Sequence, residues 1–131
     1  MRAFAYPWLW LFGWLVGLAL LLWFSLAPLP LLLPVAQGDK LEHLFSYALL
    51  AWYGGALFAT RGARIATMLG LIALGVVLEW VQGQTSYRLA DPYDAIANAI
   101  GALFGMALAC TALGTLLQQL DGWLVKWRQR R

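Results

Sequence analysis

Residues 6–26 read YPWLWLFGWLVGLALLLWFSL, an apolar run without a charged side chain. A helix rises about 1.5 Å per residue, so about 20 residues cross a hydrocarbon layer of about 30 Å, and this run is long enough to do so. It exceeds the core of a secretory leader, which holds about 7–15 apolar residues, and it leads into a proline-rich apolar stretch rather than a small-residue cleavage site. The reading is an uncleaved membrane anchor. Working outward, three more apolar stretches follow at 41–60, 65–82 and 93–117, each with the length of a span. The expected fold is an all-α membrane protein: a four-transmembrane-helix bundle, one domain over residues 1–131.

Composition agrees. Hydrophobic residues make up 63% of the chain and charged ones 11%, against about 25% charge in soluble domains. A water-soluble fold of this size could not bury so much apolar surface. The net charge of +3 does not imply nucleic acid, because the basic residues flank the hydrophobic segments, where they set topology and meet anionic lipid. Arg2, Arg61, Arg64, Lys126, Arg128, Arg130 and Arg131 fall on one side and only Lys40 and Arg88 on the other. The positive-inside rule then puts both termini and the connector Arg61 to Arg64 in the cytoplasm.

The single cysteine, Cys110, excludes an intramolecular disulfide or a thiolate metal cluster, and its apolar setting reads as a small buried packing residue. Trp8, Trp10, Trp23, Trp80, Trp123 and Trp127 lie near span ends and read as interface anchors. The outer loop between the first two spans, 27–38, carries Pro28, Pro30 and Pro34. It cannot be regular helix, and its leucines lay it along the outer interface or over the bundle mouth. The stretch Leu120 to Trp127 suits a short interfacial helix on the cytoplasmic leaflet.

Against this apolar background stands a polar set: Asp39, His43, Glu79, Gln82, Arg88, Asp91, Asp94 and Asn98. In the topology just given, all of it lies in or near the outer half of the membrane. On the second span Asp39, His43, Ser46, Tyr47 and Gly54 share an arc of about 100°. On the fourth Asp91, Asp94, Asn98, Gly101 and Gly105 share about 80°, so a polar stripe runs into a small-residue stripe that lets a neighbouring backbone approach. Helical rise puts Glu79 about 8 Å below the outer boundary, His43 about 6 Å deep and Asn98 about 10 Å deep. Three helices therefore deliver polar groups to one level.

Structural roles compete with functional ones. Asp39-Lys40-Leu41-Glu42 has the form of a capping box, and Asp91-Pro92-Tyr93-Asp94 reads as an N-cap with proline at the first helical position. Asn98 has a second use as interhelical glue, His43 as a packing residue and Arg88 as a solvated loop cation. Glu79 carries the sharpest signal, because an ionisable group within the hydrocarbon is costly and marks a site by default.

The order of motifs resembles the VanZ-like family: Asp39-Lys40-x-x-His43-x-x-x-Tyr47, then Glu79-x-x-Gln82, then Arg88 with Asp91-x-x-Asp94-x-x-x-Asn98-x-x-Gly101. The match runs over about residues 38–105. The first span and the tail after Met106 carry no family motif. The resemblance implies a multi-pass protein of the bacterial inner (plasma) membrane, related by family to glycopeptide (teicoplanin) resistance. It implies no settled activity.

The functional expectation is a polar site at the outer membrane face that binds or acts on a lipid or lipid-linked head group. His43 or Glu79 would serve as general base with Asp94 beside them, and Asp39, Tyr47, Gln82, Arg88, Asp91 and Asn98 would bind and orient the substrate. No cofactor is evident. A divalent cation is compatible with the carboxylates and the imidazole, but no metal signature singles one out. The alternative is a non-enzymatic membrane binding or assembly protein whose buried polar cluster is structural. Transport fits less well, because the inner halves of the spans hold few ionisable groups and four spans make only a narrow conduit unless the protein forms a homodimer.

Overall fold

A computed structural model describes residues 1–27, 38–86 and 91–131, and every regular element among them is helical. The elements are α1 (Pro7–Leu26), α2 (Gly38–Leu57), α3 (Arg61–Gln82), α4 (Pro92–Ala109), a 3-10 turn (Ala112–Thr115) and α5 (Leu116–Gln129). The proline-rich stretch Pro28 to Gln37 and Arg88 lie outside the described residues.

Local sequence sets the helix starts. Pro7 opens α1 and Pro92 opens α4, where a missing N–H costs nothing. Asp91 caps α4 through a 2.9 Å bond from the Tyr93 N–H to its Oδ1. Thr60 caps α3 by accepting from the Ala63 N–H, so Arg61 to Arg64, expected as a connector, forms the first turn of that helix.

The helices alternate in direction. The Arg2 N–H bonds the Leu57 carbonyl and the Arg64 Nε bonds the Phe58 carbonyl, which gathers the N-terminus, the end of α2 and the start of α3 at one end, here called the base. At the other end, the mouth, Gln82 of α3 donates to the Ser25 carbonyl of α1, and the start of α4 meets the start of α2. Helices α2 and α4 thus run parallel. Their contact is tight because Gly101 and Gly105 sit against the Leu44 and Ala48 carbonyls, where an added Cβ would collide with backbone oxygen. Tyr47, Leu50 and Ala51 of α2, Leu71 of α3, Ala102 of α4 and Leu21 of α1 form the core.

Outside this core the surface is apolar. Trp8 is 77% exposed, Phe12 67% and Trp23 66%, and α1 as a whole is hardly buried. Leu69, Val76, Val77 and Trp80 of α3 and Ile96, Ile100, Leu103 and Phe104 of α4 are also exposed. So continuous an apolar face is stable in lipid and not in water. Helices α1 and α3 are each long and apolar enough to cross a membrane, and α4 with the segment after it makes a third such unit, bent by 76°. Helix α2 has comparable length, but Asp39, Lys40, Glu42 and His43 occupy its first two turns.

Two expectations change near the bend. Helix α4 stops at Ala109 instead of continuing to Leu117. The Thr111 hydroxyl bonds the Leu108 carbonyl and accepts from the Leu113 N–H, while Gly114 closes on the Ala109 carbonyl. These local bonds compete with helix continuation. Cys110, expected to be buried, caps the helix and is exposed because the chain turns away there. Trp10 differs too: its indole Nε1 is committed to Asp121 of α5 at 2.9 Å and is not a free interface anchor.

Candidate functional site

The mouth of the bundle is built from the first turns of α2, the last turn of α3 and the first turns of α4. Three helix ends meet there, and each carries ionisable residues on its inward face.

Lys40 forms the centre of one group. Its Nζ lies 2.7 Å from Asp91 Oδ2, 3.0 Å from Asp94 Oδ1 and 3.2 Å from Asp39 Oδ2. One ammonium thus ties α2 to the start of α4 through Asp91 and Asp94, with Asp39 of its own helix as a third partner. Asp91 is held below the usual carboxylate range by the Lys40 hydrogen bond and, next, by the Tyr93 N–H. Asp91 also donates its own backbone N–H to Glu79 Oε1, linking α3 to the α4 cap.

A second group lies deeper and shares Asp94. His43, Glu79 and Asp94 are all buried, and each offers a ligand atom within 4.8 Å of the others. His43 Nε2 stands 3.8 Å from Asp94 Oδ2, beyond the about 2.7–3.2 Å of a direct hydrogen bond. One turn further in, Tyr47 follows His43 on α2 and Asn98 follows Asp94 on α4. Asn98 packs over Gly75 of α3, where a Cβ would stand 2.9 Å from the asparagine Cβ. Among the described residues, three buried side-chain atoms here have no hydrogen-bond partner: Tyr47 Oη, Glu79 Oε2 and Asn98 Oδ1. Buried polar atoms are nearly always paired, so three orphans contributed by α2, α3 and α4 are unusual.

The structure therefore brings together Asp39, His43, Tyr47, Glu79, Asp91, Asp94 and Asn98. Gln82 faces another way, with its amide nitrogen 2.7 Å from the Ser25 carbonyl of α1. Arg88 lies outside the described residues. The cation that sequence reasoning did not rank among the site residues is Lys40. Its position next to Asp39, three residues before His43, was the available signal. Two groups offer metal-ligand sets, His43/Glu79/Asp94 and Asp39/Asp91/Asp94, and the Lys40 ammonium already occupies the middle of the second.

Sequence reasoning also passed over a carboxylate at the base. Asp121 of α5 is buried and accepts from the Ala5 N–H at 2.6 Å, the Tyr6 N–H at 3.2 Å and the Trp10 Nε1 at 2.9 Å. Arg2 beside it donates to the Gly114 carbonyl and to Gln118. This second polar centre anchors the N-terminus on α5.

Comparison of the chain with family models, with curated proteins and with solved structures finds no match.

Proposed function

We propose that this chain is a VanZ-like protein of the bacterial inner membrane, with four spans and cytoplasmic termini, whose outward-facing mouth binds the anionic head group of a lipid or lipid-linked precursor. The family assignment rests on the spacing of Asp39, His43, Glu79, Asp91, Asp94 and Asn98. The orientation rests on Arg2, Arg61, Arg64 and the basic tail, all at the base.

One observation carries the binding reading. The ionisable cluster stands at the head of a groove between α2 and α4, lined by Leu41, Leu44, Ile96 and Ile100 with Lys40 and Tyr93 alongside. An acyl or polyprenyl chain suits the apolar walls, and an ammonium at the head suits a phosphate. His43 and Glu79, just inside, are placed to take a proton from a bound head group or water.

Native mass spectrometry of the purified protein tests the reading. Wild-type protein should retain phospholipid or polyprenyl phosphate through delipidation, and the double variant Lys40→Ala/Arg88→Ala should lose it at least tenfold. Equal retention by both proteins would remove the head-group assignment. Reporter fusions test the orientation: one at residue 131 should behave as cytoplasmic and one at residue 85 as external.

A further inference from the structure

The geometry points to a divalent first-row metal site formed by His43, Glu79 and Asp94, one ligand from each of α2, α3 and α4. The inference deepens the reading of the same mouth and rests on it for location alone, since the ion needs no lipid.

Three observations support it. The first is spacing. With metal–ligand bonds of about 2.0–2.2 Å, neighbouring ligands of a tetrahedral ion stand roughly 3.4 Å apart. The 3.8 Å between His43 Nε2 and Asp94 Oδ2 is close to that edge and too long for a direct hydrogen bond. The second is charge. Asp39, Asp91 and Asp94 converge on Lys40, and Glu79 joins them through the Asp91 N–H, so among the described residues four carboxylates gather around one ammonium. Such a surplus of carboxylates at the head of an apolar bundle is costly unless a further cation offsets it.

The third is the set of orphans. Glu79 is 6% exposed, yet its Oε2 has no partner among the described residues. Tyr47 and Asn98, at 0% and 1% exposure, leave Oη and Oδ1 unpaired one turn beneath the triad. A coordinated ion uses the free carboxylate oxygen, and its remaining ligands, such as water, satisfy the phenol and the amide. The rest of the shell is already present: Lys40 holds Asp94 Oδ1, and the Asp91 N–H holds Glu79 Oε1. Each carboxylate is thus oriented by its other oxygen.

The ligand set decides the class of ion. One imidazole with two carboxylates suits Zn²⁺, with Mn²⁺ weaker, and suits Mg²⁺ and Ca²⁺ poorly, because those prefer all-oxygen shells.

The test uses the full chain in detergent, stripped with a chelator and offered Zn²⁺ or Mn²⁺ alone. Wild-type protein should retain one Zn²⁺ per chain and bind Mn²⁺ at least tenfold more weakly. His43→Gln and Asp94→Asn should each lower Zn²⁺ affinity at least tenfold, while Asp121→Asn, at the base, should not change it. The absorption spectrum of the Co²⁺-loaded wild-type protein needs no variant and should show a four- or five-coordinate nitrogen and oxygen site. Failure of wild-type protein to retain an ion at tenfold excess, or full retention by both ligand variants, overturns the inference. Loss of lipid retention with metal binding intact would count against the head-group reading alone.

Discussion

The two ends of the bundle each hold a buried carboxylate, and they treat it in opposite ways. At the base, Asp121 accepts three hydrogen bonds from the N-terminal segment and α1. At the mouth, Glu79 accepts one backbone N–H, and among the described residues its other oxygen is unpaired, as are Tyr47 Oη and Asn98 Oδ1 nearby. A fully paired carboxylate is a fastener. An underpaired one, close to other underpaired groups, lowers stability and persists where a ligand completes it.

The comparison predicts a ranked set of effects. The largest belongs to the base: Asp121→Ala strands three donors and should destabilise the protein by about 3 kcal/mol, read as a lower thermal midpoint in detergent with Zn²⁺ uptake retained. A midpoint within error of wild type would end the fastener reading. Next comes Lys40→Met, which leaves three carboxylates facing one another and should cost about 1–2 kcal/mol. Adding Asp94→Asn should recover part of that loss in a double-mutant cycle. Strictly additive losses would show that the lysine does not hold α4.

Glu79→Gln should change stability by less than about 0.5 kcal/mol or raise it, because it removes an underpaired charge. The same variant should abolish retention of metal. Strong destabilisation would make the mouth a second fastener and erase the contrast.

The smallest effect is a pH dependence at Asp91. Its folded pKa is lowered by Lys40 and by the Tyr93 N–H. Its contribution is therefore complete above the unfolded value of about 4 and fades as pH falls through the lower folded value. Between pH 6 and pH 3 the midpoint of wild-type protein should fall further than that of Asp91→Asn.

Much of this architecture was legible in the sequence, and the exceptions have physical causes. The charge-free run of α1 and the small-residue stripe of α4 identified a helix long and apolar enough to cross a membrane and a close helix contact, because length and side-chain volume suffice for those. His43, Glu79 and Asn98 could be expected within about a turn of one another, with Tyr47 and Asp94 on the same helix faces, because helical rise and periodicity fix height and face. Lys40 was underrated because two of its three partners, Asp91 and Asp94, come from the start of α4, more than fifty residues away. The orphaned atoms were invisible for the same reason, since pairing depends on tertiary contacts. Asp121 was missed because its donors belong to the chain's first ten residues. The bend after Ala109 was hidden by hydropathy, which continues unbroken through residues whose hydroxyls and glycine redirect the backbone.

An experimental structure of the protein in a lipid bilayer, at a resolution that shows ions and head groups around the mouth, tests the contrast between the two ends most directly. The expected result is density coordinated by His43, Glu79 and Asp94, with a phosphate near Lys40. A closed mouth in which Glu79 Oε2, Tyr47 Oη and Asn98 Oδ1 are bonded only to protein atoms would contradict it.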